Sequence, residues 1–167
     1  MTNSVEQLWT RYRALHPDTP AALPLVYHFC DNEKDADICA ALVASGRKRA
    51  TATSLVELEM AGDPLPRTGD LAIITTYAGQ AVALIRTTSV ETRRFADVDE
   101  DFARREGEGD LTLDWWRDAH RAYYRRVLAG SAYVVDDDLG IACEGFEVVL
   151  LAGADGDAPI ASVDGPR

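Results

Sequence analysis

The 167-residue chain predicts an α+β domain, a small and mostly antiparallel β-sheet closed or partly closed into a barrel and flanked by helices. Three observations carry that prediction. Extended segments lie in the middle and at the end of the chain, and two of them, Leu71 to Tyr77 and Gln80 to Thr88, are joined by a turn at Ala78-Gly79. Stretches of helical periodicity, each with its own capping residue, precede and separate these strands. No segment repeats, and curling the sheet on itself removes exposed edges.

Ser4 and Gln7 have the spacing of a capping box, and Val5, Leu8, Trp9, Tyr12 and Leu15 then recur at helical spacing as far as Pro17. That stripe is expected to pack on the domain, so residues 1–24 read as an N-terminal helix and linker. Leu25 to Phe29 reads as a short buried strand, followed by a helix capped by Asp31 or Asn32, running through Ala36, Ile38, Cys39, Leu42 and Val43 to Gly46. A strand over the next residues leads into a second capping box, Ser54 with Glu57, and a short helix through Leu55, Leu58 and Met60. Pro64, Pro66 and Gly69-Asp70 mark a turn before the hairpin, and Val90 to Phe95 continues as extended chain. Asp99 caps a short acidic helix through Phe102 and Ala103. Thr112 caps a long one carrying Leu113, Trp116, His120, Tyr123 and Val127 as far as Gly130. Tyr133 to Val135 and Ile141 to Leu151 supply the last strands. The domain proper is therefore assigned to residues 25–151, and 152–167, poor in large apolar residues, reads as a disordered tail.

Composition narrows the function classes. With 47% hydrophobic and 27% charged residues, no apolar run of bilayer length and no basic-then-apolar leader, the expectation is a soluble cytoplasmic protein without membrane partners. Cys30, Cys39 and Cys143 form no C-x-x-C pair, and with three histidines they suggest neither a disulfide framework nor a metal site. They are expected to be buried and reduced. The net charge of -11 disfavours DNA or any long polyanion unless cations concentrate locally. Arginines do pair up, at Arg47 and Arg49 around Lys48, Arg93-Arg94, Arg104-Arg105 and Arg125-Arg126, although solvated surface charge is the commoner role of such pairs.

Two stretches stand apart as candidate site. Gly46 to Ser54 reads G-R-K-R-A-T-A-T-S, a helix stop and three cations running into a strand of small and hydroxylated residues, which would set Lys48 and Thr51 at the rim of a sheet. Glu106 to Asp110 reads E-G-E-G-D, and its glycines predict a loop carrying acidic groups on a flexible backbone. Each has an ordinary explanation: a cation suits a helix C-terminus, threonine suits a strand, and an acidic turn suits solvent.

Taken together, G-R-K-R-A-T-A-T-S, P-L-P-R-T-G-D at Pro64 to Asp70, F-A-R-R-E-G-E-G-D-L-T-L-D-W-W-R-D-A-H at Phe102 to His120 and C-E-G-F-E-V-V at Cys143 to Val149 resemble the ASCH-domain family, related in fold to the PUA RNA-binding domains. The resemblance implies a PUA-like barrel with a cleft between barrel and helices, acting on RNA or on modified nucleosides. Some members hydrolyse the amide of N4-acetylcytidine and others are ribonucleases. The amidohydrolase pattern falls on Lys48, Thr51 and Glu106, with Glu108 two residues on as a second candidate for the glutamate. Arg49 stands where a threonine is common, and Gly145 where an arginine is expected. Arg47, Arg49, Thr53, Glu108, Asp110, Trp116 and His120 are the candidate ligand contacts, Trp116 and His120 being read chiefly as packing residues that line the cleft.

Removing an acyl group from an exocyclic amine needs a nucleophile, a base, an acid for the leaving amine and donors for the oxyanion. Thr51 fits the nucleophile. Lys48 fits its base if burial or the neighbouring Arg47 and Arg49 lower its pKa from about 10.4 towards 7 or 8. Glu106 would protonate the leaving amine or position water, and no metal or cofactor is required. The alternative is a single-stranded RNA-binding module or ribonuclease using the same cleft, distinguishable by a steep loss of binding with salt.

Overall fold

The computed structural model describes residues 3–153, so the predicted tail lies outside the described residues from position 154 onwards. In chain order the elements are α1 (Ser4–Leu15), β1 (Leu25–Tyr27), α2 (Glu33–Ala44), β2 (Ala50–Ser54), α3 (Leu55–Ala61), β3 (Leu71–Thr75) and β4 (Ala81–Arg94). A 3-10 turn at Phe95–Asp97 follows, then α4 (Glu100–Glu106), α5 (Leu113–Val127) and β5 (Gly140–Leu151). The five strands form one sheet in the order β1-β3-β4-β5-β2, parallel only between β1 and β3. This is the predicted α+β architecture, with the sheet curled into a half-barrel whose edges, β1 and β2, are not paired with each other.

The curl is built into the long β4–β5 ribbon. Pairing slips between Leu84 and Ile85 and again between Thr87 and Ser89, so Thr88 is the extra residue of a bulge. A bulge bends and twists a strand without ending it. The two extended segments that the pattern separates at Ser89 are therefore one strand of 14 residues.

Apolar side chains bury on both faces. Val5, Leu8, Trp9 and Tyr12 of α1 pack on Ile73 and Leu84, while Leu15, at the end of the same stripe, is 63% exposed. Phe29, Cys39 and Val43 close over Ile74, Ile85 and Phe146 beneath α2. Phe95, Phe102, Trp116 and Tyr124 close over Ala50, Ile141 and Cys143 beneath α4 and α5. Cys39 and Cys143 are buried and all three thiols are free, but Cys30 is only partly covered, which corrects the expectation for that residue.

Five local readings change. β1 is not buried: Leu25 is 61% and Val26 38% exposed at this edge of the sheet. The N-cap of α1 is Asn3, whose side chain accepts from the Val5 amide; Ser4 Oγ instead accepts from the Ala81 amide at 2.9 Å and ties the helix to the start of β4. Asn32, not Asp31, caps α2, which frees Asp31 to pair with Arg126 of α5. Tyr133 to Val135 forms no strand and belongs to the connection between α5 and β5. Glu106 is not in a loop: it is the last residue of α4.

Candidate functional site

After α2 the chain hooks back, with the amides of Arg47 and Lys48 both donating to the Leu42 carbonyl at 3.0 Å. The hook swings Lys48 inward, where it is 1% exposed. Its Nζ sits 5.0 Å from the centroid of the Phe29 ring and forms an ion pair with Glu108. The end of α4 is pressed against the same hook. Gly107 has φ +72, a Cβ there would lie 2.3 Å from the Arg47 carbonyl oxygen, and the Arg49 amide donates to the Arg105 carbonyl at 2.8 Å. Only a glycine lets the two segments approach that closely.

That approach sets Glu106 in the interior, 1% exposed. Its Oε2 accepts from Trp116 Nε1 at 2.7 Å and from His120 Nε2 at 3.0 Å, while Oε1 has no hydrogen-bond partner among the described residues. His120 also donates from Nδ1 to the Trp116 carbonyl at 2.9 Å and stacks on the Trp116 ring at 4.1 Å. Both ring nitrogens therefore face acceptors, an arrangement that only the imidazolium satisfies.

Charge balance sets the protonation states. Burial of His120 favours the neutral ring, but the Glu106 charge and hydrogen bond outweigh it and raise its pKa above the ordinary value. Burial likewise opposes ionisation of Glu106, and the Lys48 and His120 cations prevail and hold it below the ordinary carboxylate range. Lys48 follows the same logic. Burial favours the free amine, yet Glu106 and Glu108 overcome it and hold the ammonium more firmly than in water. This corrects the expected depression of the Lys48 pKa: Arg47 is exposed and neither it nor Arg49 lines the cleft, so the groups that face Lys48 are carboxylates.

These groups form one wall of a cleft of about 440 Å³ between the half-barrel and helices α2 and α5. Lys48, Thr51, Thr53, Glu106, Glu108 and His120 all line it. Asp110 does not. It is exposed and holds the start of α5, accepting from the Thr112 amide at 2.9 Å and hydroxyl at 2.6 Å. Trp116 lies behind the wall, buried, as the donor that orients Glu106. The tryptophan that does line the cleft is Trp115, which sequence reasoning passed over. Its signal is Gly109, at φ +58, where a Cβ would fall 2.1 Å from the indole. The second glycine of E-G-E-G-D is thus a seat for a ring rather than a source of flexibility. Gly145 is also filled from outside: a Cβ there would meet Arg105 Nη2 at 2.2 Å, so a guanidinium from α4 covers the position at which an arginine is expected.

The His120–Glu106 pair has a measurable pH signature. A raised His120 pKa means that its stabilisation is fully present below the unfolded-state value of 6.5 and is lost as pH rises through the folded value. His120→Gln is therefore expected to lower the melting temperature clearly at about pH 6 and less at about pH 9. A deficit equal at both pH values would show that the histidine acts by packing alone.

The ASCH-domain family model matches residues 25–150 of the chain. The structure is similar to that of an ASCH domain from Lactobacillus crispatus JV V101, with 28% sequence identity, a TM-score of 0.78, and 89% of this chain and 95% of that one covered. It is also similar to a solved protein from Enterococcus faecalis V583, at 33% identity and a TM-score of 0.81, over 93% of this chain and 97% of that one. No curated protein matches the chain. A family model that takes in all five strands to within a residue and every residue of the cleft, together with structural neighbours that cover nearly the full length, leads to one conclusion: the chain belongs to the ASCH-domain family.

Proposed function

We propose that the protein is a metal-independent amidohydrolase of N4-acylated cytidine-type nucleosides, using Thr51, Lys48 and Glu106. The observation that carries this reading is the buried pair Lys48 and Glu106, with the partly buried Glu108 and His120 beside them, on the wall of a cleft whose roughly 440 Å³ suits a small ligand. Burying that many ionised groups is costly, and functional sites are where such arrangements concentrate.

The environment of Lys48 changes the roles assigned from sequence. An ammonium held by two carboxylates is a poor base and a strong donor, so Lys48 serves the oxyanion of the tetrahedral intermediate. The Thr51 hydroxyl attacks the acyl carbon, and its proton passes to Glu106 through the unpartnered Oε1. Glu106 returns the proton to the exocyclic nitrogen as the C–N bond breaks and the acyl–Thr51 ester forms. Water, deprotonated by the same carboxylate, then cleaves the ester, releasing the carboxylic acid and restoring the hydroxyl. Trp115 on its glycine seat offers a flat wall for the base.

A long RNA fits less well. Arg93, Arg94, Arg104 and Arg126, half of the clustered arginines, are each ion-paired to carboxylates on the surface, which lowers the positive charge offered to phosphates. The test is chromatographic release of cytidine from N4-acetylcytidine by the wild type beside Thr51→Val and Lys48→Met. Release by the wild type and by neither variant is the expected result. A wild type that releases none, or variants that keep its rate, would overturn the assignment.

A further inference from the structure

We propose that Cys30 and Cys39 form a reversible redox-modification site, closing to an intrachain disulfide when the protein meets a small-molecule disulfide. Their Sγ atoms stand 3.7 Å apart and both residues line the cleft, Cys30 from the segment between β1 and α2 and Cys39 from α2. A disulfide requires about 2.05 Å between sulfurs, so bonding asks for a movement of roughly 1.6 Å shared between the two residues. Cys30 is also one of only two non-glycine residues among the described ones with a positive φ, at +61°. Such a conformation costs about 1 kcal/mol or more and is held only where the surroundings fix it. Here the flanking anchors are Lys48 against the Phe29 ring and the two hydrogen bonds from Arg126 to Asp31.

The two thiols differ in a way that orders the steps. Cys30 is partly exposed and Cys39 is 2% exposed, so an external disulfide reaches Cys30 first. The Cys30 thiolate attacks one sulfur of the reagent, the reagent's S–S bond breaks, and one thiolate leaves, taking a proton from solvent. Cys39 then loses its proton and attacks Cys30 Sγ, expelling the second reagent thiol. Two protein thiols are oxidised and one reagent disulfide is reduced to two thiols. The hydrogen bond that the Cys39 thiol shares with Cys30 is the largest cause of its raised pKa, followed by burial; capping Cys30 weakens that bond, and the Lys48 ammonium favours the Cys39 thiolate against the opposing charge of Glu108. Cys143, buried beneath α4 and α5, has no sulfur neighbour among the described residues and stays a thiol.

The test treats the reduced full chain with oxidised glutathione under native conditions and follows intact mass, with peptide mapping of the product. The expected wild-type product has lost two hydrogens and contains a Cys30–Cys39 cross-linked peptide, with Cys143 still alkylatable after unfolding. Cys39→Ser is expected to stop at the mixed disulfide and gain one glutathionyl group on Cys30. Cys30→Ser is expected to react at least ten-fold more slowly than the wild type. A wild type that retains glutathione on Cys30, that remains unmodified, or that reacts equally at all three cysteines would overturn the proposal. The proposal does not depend on the amidohydrolase reading.

Discussion

Lys48→Met is expected to lower the free energy of unfolding by about 3–5 kcal/mol at neutral pH, the usual cost of removing one partner from a buried ion pair. The methylene stem of lysine is replaced by a side chain of similar length, so the loss is electrostatic rather than a cavity. What remains is two carboxylates at the wall of the cleft, Glu108 without its cation and Glu106 with only His120 opposite it. The pH dependence gives the sign. A lysine with a raised folded pKa contributes stability that is fully present below its ordinary value of 10.5 and lost only as pH climbs through the folded value. The wild type should therefore hold this contribution throughout the neutral range. In the variant, acidification protonates the stranded carboxylates and the deficit should narrow towards about pH 4. Lys48→Met combined with Glu108→Gln removes the stranded charge nearest the lost ammonium and should recover at least about 1 kcal/mol over the single variant. Urea midpoints of the three proteins at neutral and acidic pH decide it. A single variant within about 1 kcal/mol of the wild type, or a double variant no better than the single, would mean that the pair is solvated in solution.

Much of the frame was legible in the chain because its signals are local. The Ser54–Glu57 capping box, the Asp99 and Thr112 caps, the glycine at the end of α2 and the β3–β4 turn all act within a few residues of where they stand. The resemblance carried Lys48, Thr51 and Glu106 to one place, and all three line the same cleft. What could not be read depends on contacts between distant segments. The protonation of Lys48 is set by Glu106 and by Glu108, the latter sixty residues away in sequence, and not by the arginines beside it. The adjacent tryptophans Trp115 and Trp116 differ by the 100° that one helical residue turns, which sends one ring into the cleft and the other behind it. The glycines of E-G-E-G-D read as flexibility because composition cannot distinguish a glycine that frees the backbone from one that makes room for a neighbour.

Gly107→Ala isolates that last distinction, because the protein contains its own control. Gly62 and Gly107 both follow a seven-residue helix as its C-terminal cap, and both have φ +72°. A Cβ at Gly62 meets nothing within 4 Å, whereas one at Gly107 would lie 2.3 Å from the Arg47 carbonyl oxygen and 3.0 Å from the Lys48 amide nitrogen. Gly62→Ala should thus cost only the left-handed backbone penalty, about 1–2 kcal/mol. Gly107→Ala carries the same penalty, and it must also push α4 off the hook that carries Lys48, for a total of about 3–5 kcal/mol. The displacement has a functional consequence that the Gly62 control lacks. Glu106 directly precedes Gly107, so any retreat of α4 carries its carboxylate away from Lys48 and loosens the bonds from Trp116 and His120. On the proposed amidohydrolase reading, deacylation measured on the folded variants should therefore fall at least ten-fold for Gly107→Ala and stay near wild type for Gly62→Ala. Equal losses of stability in the two would mean that the backbone conformation, and not the close approach of α4 to the Lys48 segment, is what the glycine at 107 provides.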